Sequence, residues 1–464
     1  MERREFLRAA LFSGALYGSG ALPKLGSVAY GAGFPVVDHR VAVKIMLPGG
    51  PDLRHLFPPA FDPSPTSFGY RFWQAKASAH NLSDSVSDWQ ARWENDYSHL
   101  THGATAFGIH GNAGWLKDQW DQGNVAIVNN AFGAATRDHA HCILVMDQGN
   151  VDMGPTDPVR SGWGGRLARA AGGNSLALTA TPRPFVFGPD PADPSRIDNS
   201  NMIPAANTRA MALFRAPPGE PLGFQASVER GLRAYYAAKR DEMSPDAVHQ
   251  RFTELERIRR EFGDAVDERL QSIPVPPAID ALFQVGLASP GFAQQIRNLY
   301  DAFAAYDVLQ LRTASMDYGG WDSHAGQVNL IEPKLADIFG TGQGLDVLFS
   351  ELPDDALDNL VIVVAGEFGR QLRANGDNGT DHGVGTSIIL VGRGVNGGVY
   401  GDMFPEAELE RLSDPSPDIA GLTQLDHVFG AVADWVEPGS SASVFRNKAT
   451  AAAEAGVDFT SLFR

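Results

Sequence analysis

Short apolar runs, each bounded by glycine, proline or polar residues, are spaced along the chain. They cover residues 41–47, 125–128, 308–314, 360–364 and 386–391, with a shorter run at 398–400. An uninterrupted apolar run of this length is typical of a β-strand that is covered on both faces. The pattern therefore predicts several buried strands.

Other segments carry helical patterns, with the clearest three- and four-residue apolar spacing at 225–270. Helices are predicted at 111–122, 138–147, 225–270 and 290–306. Residues 225–306 are accordingly predicted to form a helical insertion. Strands that alternate with helices predict the α/β class, with a doubly wound, mainly parallel sheet.

The first 33 residues differ from the rest. Arg3 and Arg4 precede a weakly apolar run at 9–22, and small residues follow at 29–31, as in an export signal. The Arg-Arg-x-Phe-Leu arrangement resembles a twin-arginine (Tat) signal, although a plain Sec signal or a frayed helix shares several of these features. We expect residues 1–33 to be removed during export by the Tat machinery. One periplasmic or extracellular domain, 34–464, would remain, without a membrane span in the mature form.

The net charge and the cysteine content exclude several classes of partner and site. The formal net charge is −17, which argues against nucleic acid as a partner because a polyanion is repelled by an acidic surface. Cys142 is the only cysteine of the chain, so an internal disulfide framework and a cysteine-rich metal site are excluded.

Acidic residues and histidines cluster, next to glycines, where predicted strands end. In a doubly wound sheet, ligands bind beyond the carboxyl ends of the strands. Asp322 and His324 are two residues apart, so in an extended segment their side chains share one face. Carboxylate and imidazole are ligands that zinc or manganese accepts, and Glu367 and His382 could supply the remainder. Such pairs also cap helices and stabilise turns, so only the set predicts a divalent metal site.

Two further motifs supply candidate chemistry at the strand ends. Arg370 could neutralise an anionic substrate through a bidentate contact. Asp138 is a natural N-cap for the helix that follows, and the N-terminus of that helix favours anions. His139 and His141 are two positions apart and therefore face different ways. The plain alternative is a helix cap with one surface histidine.

The order of these motifs resembles the family called domain of unknown function 1501, which is Tat-exported and belongs to the alkaline-phosphatase-like superfamily. The motifs that carry the resemblance lie at 41–50, 138–139, 320–324, 366–370 and 381–401. The resemblance implies an alkaline-phosphatase-like α/β domain and metal-assisted hydrolysis of small phosphate or sulfate esters. In that superfamily, two metals lie beyond the strand ends, and a Ser, Thr or modified Cys at a helix N-terminus attacks the substrate.

The sequence departs from this pattern at four positions. Pro48 replaces a metal-binding Asp, His139 replaces the nucleophile, Glu367 replaces an Asp and Phe368 replaces a His. One of the two metal sites therefore looks dismantled. The resemblance implies that the other site is built from Asp322, His324 and His382, with Glu367 or Asp381.

Three mechanisms remain open from the sequence. His139 could act as a general base toward water that a single metal activates. His139 could instead accept the phosphoryl group covalently. Alternatively, the chain is a non-catalytic exported binding or assembly protein that retains the fold with a degraded metal site.

Overall fold

A computed structural model describes residues 33–149, 161–190, 192–193, 196–211, 230–231, 234–235, 237–239, 247–284 and 290–464. The predicted signal segment therefore lies outside the described residues, apart from Gly33. The predicted helical insertion, 225–306, lies partly outside them.

The predicted strands are present, together with several that the apolar pattern did not indicate. The described strands are β1 Val41–Met46, β2 Tyr97–His102, β3 Thr105–His110, β4 Val125–Phe132, β5 Asn174–Ala177, β6 Met202–Pro204, β7 Leu311–Asp317, β8 Leu360–Ala365, β9 Gly369–Ala374, β10 Thr380–Gly383, β11 Thr386–Val391, β12 Gly398–Tyr400 and β13 Thr423–Gln424.

Nine of these strands form one sheet in the order β12-β4-β11-β8-β1-β7-β5-β6, and β13 also pairs with β4. Strand β11 runs antiparallel to both of its neighbours, β4 and β8. The other pairs of this sheet are parallel. The prediction of an α/β fold with a mainly parallel sheet is therefore confirmed. Strands β2–β3 and β9–β10 form two separate hairpins.

The prediction of a strand over residues 308–314 was wrong for the first part of that range. Residues Tyr306–Leu309 are helical, Gln310 ends that helix with a φ of 48°, and β7 begins at Leu311. A buried helical turn and a buried strand are both uniformly apolar, so the pattern by itself could not separate them.

The described α-helices cover both faces of the sheet. They are Leu53–Leu56, Phe68–Lys76, Val86–Asp96, Gly114–Asp121, His139–Gln148, Trp163–Ala170, Ala247–Ser272, Pro277–Ala281, Pro290–Ala304, Tyr306–Leu309, Gln327–Phe339, Gly344–Glu351, Asp354–Asp358, Ala407–Arg411, Leu425–Val436 and Ser441–Val444. No helix in the described ranges is both long and apolar enough to cross a bilayer.

Alternate residues of β1 point into two different cores. Val43 and Ile45 belong to one buried cluster, and Ala42 and Met46 belong to another. The helices Ala247–Ser272 and Pro290–Ala304 contribute side chains to the first cluster, so these two helices of the predicted insertion pack on the main core. A strand that is covered on both faces has no polar side to display, which explains its continuous apolar sequence.

The direction of β11 places the hairpin that precedes it at the carboxyl ends of the parallel strands. Because β11 is antiparallel, its first residue, Thr386, pairs with Ala131 near the carboxyl end of β4. The β9–β10 hairpin, which precedes β11, therefore lies beside the carboxyl ends of β1, β7 and β8.

Candidate metal centre

The loops that follow β1 and β7 meet at very close range. Gly49 has a φ of +121°, and a Cβ atom there would lie 2.3 Å from the backbone nitrogen of Asp322. Gly50 has a φ of +66°, and its Cβ would lie 2.3 Å from the ring of Phe368. Glycine is needed at both positions because any side chain would push these loops apart.

Asp322 lies at the centre of a cluster that it forms with His139, His324 and His382. Its Oδ1 lies 3.1 Å from Nε2 of His382 and 3.3 Å from Nε2 of His324. Its Oδ2 lies 3.6 Å from Nε2 of His139. The Nε2 atoms of His324 and His382 are 3.0 Å apart. Three segments of the chain thus bring three imidazoles to one carboxylate, which is 45% exposed.

The Nδ1 atom of each of these imidazoles faces an acceptor. His139 Nδ1 lies 2.7 Å from Oε1 of Glu367, and His324 Nδ1 lies 3.0 Å from Oδ1 of Asp381. His382 Nδ1 lies 3.2 Å from the backbone oxygen of Arg137. Because an acceptor requires a proton on the facing nitrogen, each ring in its neutral form carries its proton on Nδ1. Their Nε2 lone pairs consequently point toward Asp322.

The arrangement of the Nε2 lone pairs of His324 and His382 favours a cation between them. Two neutral Nε2 atoms at 3.0 Å, both beside a carboxylate oxygen, repel one another unless a proton or a metal ion lies between them. Atoms that share a metal at about 2.1 Å lie roughly 3.0–3.4 Å apart, so the observed spacing is compatible with zinc. Asp322, His324 and His382 therefore fit a divalent ion. The ligand atoms of His139, Asp322 and His382 also lie within 4.8 Å of one another, so His139 faces the same space.

Glu367 and Asp381 were both predicted as metal ligands, but each contacts the far side of a histidine. Glu367 is buried, and its Oε1 also accepts the backbone N–H of Gly49 at 2.8 Å. Its Oε2 has no hydrogen-bond partner among the described residues. Asp381 additionally accepts from the side chain of Asn375 at 3.2 Å. Carboxylates in this position orient a ligating imidazole and fix its tautomer.

Arg370 does not occupy the position that the sequence suggested. Its side chain is wholly buried, and its Nη2 donates to Asp322 Oδ1 at 2.6 Å. Nη2 also donates to the backbone oxygens of Gly49 and Trp321, while Nε and Nη1 donate to those of Gly50 and Thr380. The prediction that Arg370 contacts substrate is therefore corrected. The guanidinium instead holds three loops and the carboxylate together, because all of its nitrogens are already occupied.

The helix His139–Gln148 begins as its sequence predicts. The side chain of Asp138 accepts the backbone N–H of His141 at 2.8 Å, which is an N-cap. The capping carboxylate leaves His139 as the first helical residue, directed toward Glu367. Cys142 is buried one turn later, where burial and the nearby Glu367 raise the pKa of its thiol to about 12. Such a thiol remains protonated at neutral pH and is not a nucleophile.

The ionisation of the cluster follows from its neighbours. Burial would raise the pKa of Asp322, but the contacts with Arg370 and His382 and the charge of His324 together outweigh it, and the pKa falls to about 2. The hydrogen bond from Asn375 lowers the pKa of Asp381. Burial lowers the pKa of His382. The carboxylates are therefore charged and this imidazole is neutral near pH 7, which is the state that a metal requires.

A second group of histidines was not predicted from the sequence: His55 and His110 share Oε1 of Glu332. Their Nε2 atoms lie 2.9 Å and 3.3 Å from that oxygen. Here, however, the Nδ1 atoms face donors: the Gln327 amide at 3.3 Å and the Asn112 backbone N–H at 3.1 Å.

These donors make both Nε2 atoms proton donors to Glu332. The guanidinium of Arg92 contacts the same carboxylate oxygen. The ligand atoms of His55, His110 and Glu332 lie within 4.8 Å of one another. Because the guanidinium of Arg92 already neutralises the carboxylate and also lies 3.3 Å from Nε2 of His110, we interpret this group as a buried hydrogen-bond network.

One stretch of the chain matches a known family. Residues 306–412 match the family described as Protein of unknown function (DUF1501). The match begins just before β7 and contains Asp322, His324, Glu367, Asp381 and His382, whereas β1, β4 and His139 lie outside it. No curated protein and no solved structure matches the chain.

Proposed function

We propose that the chain is an exported, metal-dependent hydrolase of small phosphate or sulfate esters on an alkaline-phosphatase-like fold. The observation that carries the proposal is the convergence of imidazole lone pairs on Asp322. Three protein ligands, one of them the exposed carboxylate of Asp322, suit an open, catalytic site better than a closed structural one. The mainly parallel sheet, with chemistry beyond its carboxyl ends, agrees with the superfamily that the motifs resemble.

Asp322, His324 and His382 would hold the divalent ion, with zinc or manganese as the candidates. A bound ion would act as a Lewis acid toward the ester oxygens and toward water. The N-terminus of the helix His139–Gln148 lies beside this position, and the positive end of its dipole favours the negative charge of a phosphate or sulfate.

His139 would move the proton. Its Nδ1–H is held by the buried Glu367, so Nε2 carries the free lone pair and faces Asp322. An imidazole in this arrangement accepts a proton from attacking water, and Glu367 stabilises the imidazolium that forms. The same Nε2 is the nucleophile in the alternative covalent route.

A second candidate is an exported binding or assembly protein without turnover. Arg370 is fully engaged inside the protein and cannot clamp a substrate. Phe368 packs its ring against His139 and His382, with centroids 4.9 Å and 4.5 Å apart, where the superfamily has a metal-binding histidine. These features favour a site that holds an ion and a ligand but lacks the second metal.

Metal content and turnover distinguish the two candidates. We expect the purified chain, residues 34–464, to bind about one zinc or manganese ion and to hydrolyse an aryl phosphate or aryl sulfate. His382→Ala should lose both properties. His141→Ala is the matched control, because two positions along the helix turn its side chain by roughly 200° from His139. Bound metal without turnover, over a panel of both ester classes, would favour the binding protein.

The role of His139 has its own test. His139→Ala should retain the metal and lose turnover by about 10²–10⁴-fold, with partial rescue by added imidazole if the residue is a base. A covalent role instead predicts a phosphorylated His139 that acid-free mass spectrometry detects during turnover. Unchanged turnover in His139→Ala would exclude both roles.

A further inference from the structure

Gln327 connects the two loops that carry the metal ligands. It begins the helix Gln327–Phe339 and is fully buried. Its Oε1 accepts the hydroxyl of Ser323 at 3.0 Å and the hydroxyl of Thr380 at 2.7 Å. Ser323 stands between Asp322 and His324, and Thr380 directly precedes Asp381 and His382 in the sequence.

The backbone strengthens the same junction. Thr380 donates its N–H to the backbone oxygen of Ser323 at 3.0 Å, and Gln327 donates its own N–H to Asn378 at 2.9 Å. A Cβ at Gly379 would lie 2.3 Å from the backbone of His324, so the two loops are in direct contact. The position of His382 relative to Asp322 therefore depends on this contact.

The other end of the Gln327 side chain is anchored in the protein interior. Its Nε2 donates to Oδ2 of Asp52 at 2.9 Å and to Nδ1 of His55 at 3.3 Å. Asp52 is also bound by Lys76 at 2.7 Å, and all of these side chains are buried. Because Asp52 can only accept when ionised, the amide cannot flip, and Oε1 must face the hydroxyls.

We propose that Gln327 is a positioning residue that sets the spacing of the metal ligands by tying both ligand loops to the buried Asp52–Lys76 pair. This inference rests on the metal site of the proposed function and not on hydrolysis. Leucine at this position would fill most of the space but leave two hydroxyls and Asp52 without their partner. The loops would separate, and the Nε2 atoms would no longer meet at a single ion.

Metal affinity tests the inference directly. We expect Gln327→Leu to weaken Zn²⁺ binding by about 10–100-fold, measured on the metal-free protein by competition with a chromophoric chelator. Asn298→Leu is the matched control: Asn298 is an equally buried amide that binds the backbone oxygens of Leu178 and Ala206, away from the ligand loops. Its Zn²⁺ affinity should stay within about twofold of the unaltered protein.

A second, milder variant keeps the inference testable if Gln327→Leu does not fold. Thr380→Val removes one hydroxyl from the junction and should weaken Zn²⁺ binding in the same direction, by less than Gln327→Leu. Equal affinity in Gln327→Leu and the unaltered protein would overturn the inference, as would an equal loss in Asn298→Leu. If the unaltered protein binds no Zn²⁺ or Mn²⁺, the proposed function fails as well. If it binds metal but hydrolyses no ester, the hydrolase proposal alone fails.

Discussion

At the scale of single residues, the partner of Nδ1 decides what each histidine can do. His139 and His324 donate Nδ1–H to carboxylates and therefore direct lone pairs toward Asp322. His55 and His110 accept at Nδ1 and therefore direct protons toward Glu332. Two clusters with similar composition thus have opposite chemistry.

Arg370 is the residue whose loss should damage the site most broadly. Arg370→Lys retains the charge but leaves several backbone oxygens and Asp322 without donors, because an ammonium cannot match the guanidinium fork. We expect the free energy of unfolding to fall by roughly 2–5 kcal/mol. Urea denaturation of the metal-free protein measures this loss.

Arg373→Lys is the control for that substitution. Arg373 is exposed and also binds backbone oxygens, of Leu412, Asp414 and Pro415, at 3.2–3.4 Å. Its replacement should change the free energy of unfolding by less than about 1 kcal/mol. Similar losses in both variants would mean that the buried position of Arg370 contributes nothing.

At the scale of secondary-structure elements, a strand can place an ionisable side chain in a buried position. Strand β7 ends in Asp317, whose carboxyl group lies beside Arg183, Asp147 and the buried Lys44. Burial is the largest influence on this group. Together with the charge of Asp147 it outweighs the attraction of Arg183, and it raises the pKa of Asp317 to about 6.

A raised carboxyl pKa makes stability fall as pH rises. The folded chain holds the Asp317 proton more tightly than the unfolded chain, so its contribution is complete below about pH 4 and is lost as pH rises through 6. Asp317→Asn should remove this component, which is on the order of 1–3 kcal/mol between pH 4 and pH 7. Chemical denaturation at both pH values measures it, with the exposed Asp84→Asn as control. An unchanged pH dependence in Asp317→Asn would contradict the argument.

At the scale of the whole molecule, the composition of the chain bears on the proposed substrate and on the proposed export route. The net charge of −17 argues against a polyanion as partner, while the proposed small anionic ester could bind where an ion and a helix N-terminus reverse the local sign. A protein that folds and acquires its metal before export needs no disulfide, which agrees with the single, buried Cys142. The proposed Tat route requires such folding.

The export proposal predicts a specific dependence on two arginines. Changing Arg3 and Arg4 together to lysine should leave the protein in the cytoplasm, because the Tat machinery reads the arginine pair as an address. Arg8→Lys, in the same segment, should not affect export. Cell fractionation and immunoblotting provide the measurement, and export of the double variant at the normal level would instead favour a Sec signal.

The sequence by itself determined the α/β class, most strands of the central sheet, the Asp138 cap and the residues that form the candidate site. These features are local: an apolar run or a cap depends on neighbours within a few positions, so its pattern is readable along the chain.

Only the tertiary structure decided the direction of β11, the burial of Arg370 and the roles of Glu367 and Asp381. It also revealed Gln327 and the His55–His110 network. Each of these depends on hydrogen bonds between segments that are distant in sequence, such as His139 with Glu367 or Gln327 with Asp52. Strand order and direction set those contacts, and no periodicity in the sequence encodes which nitrogen of a histidine will meet an acceptor.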